Sequence, residues 1–402
     1  MAKLLDENGL AYFWGKVKAA IPTKTSQLTN DSSYITADSP ALTGVPTAPT
    51  AAVGDSSTQI ATTAFVKTAI ASNVLNSIEI VTPPTKTEYN NGDALSLDGM
   101  VVKATYDMGI TEIITDYTTD PVSGAVFSTT GTQTVTVSYT KGDITKTASF
   151  TVNVTLKIVT WAGGTDGEIV NMVAAADAGE INLADYWVVG DTRTVDLPAM
   201  EAINANESHA AQTVTLVLLN AGGKTLTSGE ECSFVVGLLD CLNETGHMNV
   251  SNSGSGTASW EGSRRRAWCN NVFKTAMLST GIGSIFKEHY NITATQYNKA
   301  ATTKSTDWFA LAAAKEIFGG STVSAGINTG YSNSTEFKTL SQFSYYADAS
   351  HCIKKVNGSA CIWWERSPHY SDSYLICAVD TDGSATYDGG SYGHGLAPFG
   401  CI

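Results

Sequence analysis

Gly131-Thr132-Gln133-Thr134-Val135-Thr136-Val137-Ser138-Tyr139-Thr140-Lys141 sets Val135, Val137 and Tyr139 between small or polar residues, and Ala148, Phe150, Val152 and Val154 repeat the alternation shortly afterwards. Successive side chains on a strand point to opposite faces, so a period of two predicts strands with one face buried. The same period runs through Ile78 and Ile80, and through Val102, Ala104 and Tyr106. Asn91-Gly92, Asp98-Gly99 and Gly142-Asp143 stand between the runs, where tight turns are needed. Residues 77–156 are therefore expected to form an all-β sandwich. Nothing in that stretch pairs carboxylates or supplies a thiol, so it reads as a spacer.

Toward the N-terminus the period changes. Leu10, Phe13, Trp14, Val17 and Ile21 recur at helical spacing, with Asn8 as the expected N-cap and Pro22 as the stop, which predicts an attachment helix over 1–22. So short a helix cannot bury that stripe by itself, so a sister copy or another protein has to cover it. Residues 23–56 are rich in Thr, Ser, Asp, Pro, Ala and Gly without apolar periodicity and read as an extended linker. Over 57–76, Val66, Ile70 and Val74 are interleaved with small Ala and Thr, a pattern suited to a tight multi-chain helical bundle.

Toward the C-terminus, 157–402 has a mixed α+β texture. A helix is expected around Glu168 to Ala176, an apolar strand at Val214 to Leu219, and another helix near 268–279. The fold class is accordingly multidomain: N-terminal α-helical oligomerisation segments, an all-β sandwich and a C-terminal α+β domain. Within the last domain, Trp363-Trp364-Glu365-Arg366-Ser367-Pro368 reads as a framework strand. Adjacent Trp residues point to opposite faces, one entering the core and one supporting a surface loop, while Glu365 and Arg366 seek partners on other segments.

Two polar, aromatic loops follow: His369-Tyr370-Ser371-Asp372-Ser373-Tyr374, and Ser384 to His394 with Thr386, Tyr387, Asp388, Ser391 and Tyr392. Tyrosine offers rigid contact area at small entropic cost, and Ser, Asp and Gly adapt hydrogen bonds around it. That is the composition of a binding face. The strand Leu375 to Val379 and the Asp382-Gly383 turn are expected to bring both loops to one end.

Composition excludes several function classes. With 24 basic and 38 acidic residues the formal charge is −14, which repels phosphate backbones and anionic membranes, so neither nucleic acid nor membrane insertion is expected. The short run Arg264-Arg265-Arg266 beside Trp260 and Trp268 suits ion pairing better than a phosphate-tracking groove. Charged residues make up only 15% and are replaced by Thr, Ser, Asn and Gly, as on an external β-rich surface. Met1-Ala2-Lys3-Leu4-Leu5 runs into Asp6 and Glu7, so no export signal is expected at the start.

Seven cysteines without a CxxC pair, and six histidines without HExxH spacing, give no metal site, and no cofactor is expected. Asp380-Thr381-Asp382-Gly383 lacks the later acidic ligands of a calcium loop and reads as a hairpin turn. Gly254-Ser255-Gly256 lies in a Ser/Asn/Gly run without the strand and helix that a nucleophile elbow needs.

Four resemblances add to this. Pro49-Thr50-Ala51-Ala52 followed by Thr58-Gln59-Ile60-Ala61-Thr62-Thr63-Ala64-Phe65-Val66 resembles a repeat of bacteriophage tail fibres, and the opening from Leu5-Asp6 to Asn30-Asp31 resembles the N-termini of tail proteins of phages of Gram-positive bacteria. Pro83-Pro84-Thr85-Lys86-Thr87-Glu88-Tyr89 resembles the start of bacterial Ig-like domains. Ser263 to Asn270, Asp307 to Leu311, Trp363 to Pro368 and Gly395 to Ile402 resemble, in that order, the signature of a domain family of unassigned activity, frequent in gut bacteria and their phages and related to the C-type-lectin-like fold of formylglycine-generating enzymes. Ala397 departs from that pattern, which often has Arg there.

The resemblances imply a homotrimeric tail fibre or receptor-binding protein of a virion, attached through its N-terminus to baseplate or tail proteins. Its tip would bind a host cell-surface glycan or protein through His369, Tyr370, Ser371, Asp372, Ser373, Tyr374, Thr386, Tyr387, Asp388, Ser391, Tyr392 and His394. Arg266, Trp268, Trp363, Trp364, Glu365 and Arg366 would form the framework. The loop residue types are reachable from asparagine codons by changing adenines, the pattern of diversity-generating retroelements. A bacterial surface adhesin and a polysaccharide-degrading tail enzyme remain the alternatives. The latter needs two carboxyl groups about 5 to 10 Å apart in a cleft.

Overall fold

The computed structural model describes residues 6–21, 49–50, 61–66, 74–201, 208–249, 259–295, 301–320, 335–369, 372 and 374–402. The chain divides into two compact units, Met1–Ser77 with Ala104–Glu112 and Lys141–Thr145, and the remainder.

In the first unit, α1 spans Glu7–Ala20. Its cap is Asp6, two residues ahead of the start expected at Asn8: the Asp6 carboxylate accepts the Gly9 N–H at 2.7 Å. Ile21 is extended, as steric conflict with the following proline demands. No residue of α1 is buried, and Leu10, Phe13 and Trp14 are each about half exposed. The linker expected over 23–56 lies outside the described residues except for 49–50. Of the helix expected over 57–76, the described residues include a helical turn at 63–66, started by Thr62 Oγ1 accepting the Phe65 N–H at 3.1 Å. Strand structure already begins at Leu75.

The sandwich follows the period-two reading. Its strands are β1 (Leu75–Thr82), β2 (Glu88–Asn90), β3 (Val101–Tyr106), β4 (Thr111–Ile114), β5 (Thr118–Asp120), β6 (Gly131–Lys141) and β7 (Ile144–Thr155). They form one sheet in the order β1-β3-β4 and another in the order β2-β7-β6-β5, with β2 parallel to β7. Burial alternates along β3 and β6, and Tyr89, Leu95, Phe127, Val135, Val152 and Val154 pack as one core. The Tyr89 hydroxyl is satisfied inside that core by the Ser96 N–H at 3.1 Å. The turn glycines Gly92, Gly99 and Gly142 all take positive φ, where a side chain is disfavoured.

The C-terminal region begins with α2 (Asp166–Asp177), where Thr165 and Glu168 cap each other reciprocally. Next come β8 (Thr192–Leu197), β9 (Gln212–Ala221) and β10 (Phe234–Leu238). The helix expected near 268–279 starts earlier, on the Ser263 cap, and runs as α3 (Arg264–Trp268), a π-turn at Cys269–Phe273 and α4 (Lys274–Leu278). Then follow β11 (His289–Ala294), β12 (Thr302–Asp307), α5 (Ala314–Phe318), α6 (Thr335–Thr339), β13 (Lys355–Val356), β14 (Ser359–Ala360), β15 (Trp363–Pro368), β16 (Leu375–Val379), β17 (Ala385–Gly389) and β18 (Phe399–Cys401).

The largest sheet has the order β18-β10-β9-β8, so the last strand of the chain closes a sheet begun some two hundred residues earlier. Val217, Leu218 and Val235 are completely buried there, as are Trp161, Trp187, Trp260, Trp268, Trp363 and Trp364 across the domain. The separate three-stranded meander β15-β16-β17 carries both framework and loop residues.

Candidate functional site

The meander rests on a buried chain of charges. Asp307, at the end of β12, accepts Arg266 Nε at 2.6 Å and Asn270 Nδ2 at 3.0 Å on one oxygen. Its other oxygen accepts Ser305 Oγ at 2.7 Å, Asn291 Nδ2 at 3.0 Å and Trp260 Nε1 at 3.2 Å. Asn291 in turn accepts Lys224 Nζ at 2.8 Å, and Lys224 pairs with Glu316. Glu316 then receives Arg366 through both terminal nitrogens. Positive and negative groups thus alternate from the partly exposed Arg266 to the fully buried Arg366.

A buried ion pair persists only when its lone pairs and protons are used up. Here Glu316 also accepts the Ala313 N–H at 2.9 Å, and Arg366 donates to Thr293 Oγ1 at 3.1 Å and to the Leu311 carbonyl at 2.9 Å. Burial opposes ionisation of Glu316, but the charges of Arg366 and Lys224 outweigh it and bring its pKa down to about 2. Burial, helped by Lys224, pushes His289 down to about 3 and keeps it neutral.

Both Trp residues of β15 are fully buried, and Trp364 lies under the second loop, with its ring 4.6 Å from that of His394. Trp363 Nε1 donates to the Cys352 carbonyl at 2.9 Å, and Trp364 Nε1 to the Gly246 carbonyl at 2.8 Å, so distant chain covers both faces of the strand. Arg366 finds the partner expected on another segment. Glu365 does not find a cation: it is buried, its Oε2 lacks a hydrogen-bond partner, and burial beside Glu336 raises its carboxyl well above the usual range. Trp268 is buried, its ring 5.0 Å from the Arg265 guanidinium.

Antiparallel pairing sets Leu375 opposite Gly389 and Val379 opposite Ala385. His369 and Tyr374 therefore meet the 389–394 segment at one end of the meander, with the Gly390 N–H on the Tyr374 carbonyl at 3.1 Å and the His369 N–H on the Leu375 carbonyl at 3.0 Å. The Asp380 to Ser384 turn, expected to gather the loops, closes the opposite end, with Gly383 at positive φ and the Asp382 carboxylate accepting the Ser384 N–H. Thr386 is half-buried opposite Ala378, nearer that turn than the loop end.

Tyr374 and Tyr392 at the loop end are exposed by 42% and 55%, and Tyr387, in the middle of β17, by 43%. His369 is buried, with its ring 4.3 Å from that of Tyr387, so it backs the surface instead of forming it. Asp388 Oδ2 and His394 Nε2 are 2.9 Å apart, and the His394 ring lies 4.6 Å from Trp364. A line of contacts thus leads from a core tryptophan to a half-exposed carboxylate. Asp372 and Ser391 are half-buried, while Tyr370, Ser371 and Ser373 lie outside the described residues.

Sequence reasoning missed Lys224, Asn291 and Glu316, since their spacing in the chain carries no signal, and it singled out Asp307 only as part of a family signature without giving it a framework role. The sequence places Asp388 and His394 in one loop without pairing them. Chemically, this end offers phenol rings, hydroxyl groups and an Asp–His pair, which suits stacking and hydrogen bonding. Among the described residues no cluster of His, Cys, Asp and Glu is arranged to hold a metal ion, and no helix is long and apolar enough to cross a membrane.

Comparison with known families gives two matches. Residues 82–154 match the bacterial Ig-like domain (group 3), so an Ig-like domain is present, and residues 234–401 match a domain of unknown function (DUF6273). No curated protein and no solved structure matches the chain.

Proposed function

We propose that this chain is a receptor-binding tail-fibre protein of a phage virion. Its N-terminal helices join three copies and dock them on the tail, the Ig-like domain is a spacer, and a C-type-lectin-like C-terminal domain touches the host surface. The observation that carries this reading is the exposure of Tyr374, Tyr387 and Tyr392 along a meander whose first strand is held by two buried tryptophans and the Arg366–Glu316 ion pair. Rigid aromatic contacts on an immobile base lose little entropy on binding. The exposed Leu10, Phe13 and Trp14 of α1 support the oligomerisation step, because an amphipathic helix of this length needs a partner for its apolar stripe.

The experiment is retention of the full-length protein on whole cells and purified wall polysaccharide from a panel of Gram-positive gut bacteria. Saturable retention by some members supports the reading, and retention by none overturns it. Release of new reducing ends from the polysaccharide would favour the tail-enzyme alternative. Labelling of producing cells in place of virions would favour the adhesin.

A further inference from the structure

We propose that Cys241 and Cys361 form a covalent modification site, a dithiol that a small-molecule disulfide converts into a Cys241–Cys361 cross-link. The two residues are 120 positions apart, yet their sulfurs lie 3.7 Å from each other. Bond formation requires the sulfurs to close by roughly 1.6 Å to reach ordinary disulfide length.

The surrounding backbone holds them in place. Cys241 donates its N–H to the Lys355 carbonyl and Cys361 to that of Lys354, both at 3.0 Å, so the β13–β14 hairpin spans the pair. Gly395 seals the other side: a Cβ there would stand 2.6 Å from the Cys241 sulfur and 2.9 Å from that of Cys361. Only glycine leaves room for both sulfurs.

The two thiols are unequal. Cys361 is half-buried, and its hydrogen bond with Cys241 pulls its thiol below the ordinary value. Burial holds the Cys241 thiol well above its own. Lys354 Nζ, anchored on the Leu238 and Leu239 carbonyls at 2.6 and 2.8 Å, supplies a positive charge that favours both thiolates.

Cys361 is therefore the attacking sulfur. Its thiolate attacks one sulfur of the small disulfide RSSR, forming a Cys361–SR mixed disulfide and expelling one thiolate. The Cys241 sulfur then attacks Cys361, breaking the bond to SR, and its proton leaves with the second thiolate. The two cysteines lose two electrons, RSSR gains them, and two RSH are released. The bond fastens the end of β10 to the start of β15, beside the Gly395–His394 segment. This proposal does not rest on receptor binding.

The test treats reduced full-length protein with glutathione disulfide, alkylates the remaining thiols with iodoacetamide and maps the peptides by mass spectrometry. Two of the seven thiols should disappear, joined as Cys241–Cys361, and the melting temperature should rise by roughly 5–10 °C. Cys361→Ser should form no cross-link, and Cys241→Ser should stop at a glutathione adduct on Cys361. Buried Cys232 and Cys401 should remain thiols. Recovery of both Cys241 and Cys361 as alkylated thiols, or a wild-type adduct on Cys361 that never resolves, would overturn the proposal. The wild-type map decides even if a serine variant fails to fold.

Discussion

Arg366 and Glu316 meet through two parallel bonds, Nη1 on Oε2 at 2.5 Å and Nη2 on Oε1 at 3.1 Å, with neither side chain reaching solvent. Removing Glu316 strands Arg366 and Lys224 as buried like charges, and removing Arg366 leaves Glu316 with Lys224 alone and two of its hydrogen bonds unmade. Arg366→Met should therefore lower unfolding free energy by about 3–5 kcal/mol, measured by urea denaturation. Combined with Glu316→Gln, the loss should be smaller than the sum of the single losses, since the two share one interaction.

The neighbouring acids titrate in opposite senses. Glu316, with a folded pKa of about 2 against an ordinary 4.5, stabilises the fold above pH 4.5, and that contribution fades as pH falls toward 2. Glu365 has a raised folded pKa, so its contribution is complete below pH 4.5 and is lost as pH rises toward its folded value. Glu365→Gln, which needs no proton to stay neutral, should accordingly be more stable than wild type at pH 7–8. The advantage should shrink by at most about 1.4 kcal/mol per pH unit on acidification and vanish below 4.5. Urea midpoints of both proteins across pH 4–8 check this.

How much of this was legible depended on locality. Val135, Val137 and Tyr139 announce their strand because alternation is a property of neighbours, and Thr165 with Glu168 announces a helix start for the same reason. Trp363 and Trp364 were read correctly as pointing apart, but that the second face is also covered depends on Gly246, 118 residues away. The links from Asp307 through Asn291 and Lys224 to Glu316 were invisible because their members are far apart in the chain, on β12, β11, the β9–β10 connection and α5. His369 looked like a surface residue by composition, and only the fold places its ring behind Tyr387.

The apolar stripe of α1 makes a separate prediction. Phe13→Asp with Trp14→Asp should dissociate the assembled protein into single chains in sedimentation equilibrium. Both positions are half exposed, and no residue of α1 is buried, so the melting of the C-terminal domain should shift by no more than about 0.5 kcal/mol.

Tyr392 tests the surface one residue at a time. It is the most exposed of the three tyrosines, so Tyr392→Ala should leave the urea midpoint unchanged within about 0.5 kcal/mol. An interface anchor of this type is worth about 2 kcal/mol, so its loss should weaken cell binding roughly thirtyfold.

The most direct measurement compares cell-surface affinity of wild type with that of the combined Tyr374→Ala, Tyr387→Ala, Tyr392→Ala protein, both full length and matched for melting temperature and oligomeric state. The account predicts that attachment of the triple variant falls to background while its fold is retained. Attachment equal to wild type, from an equally well folded variant, would contradict it.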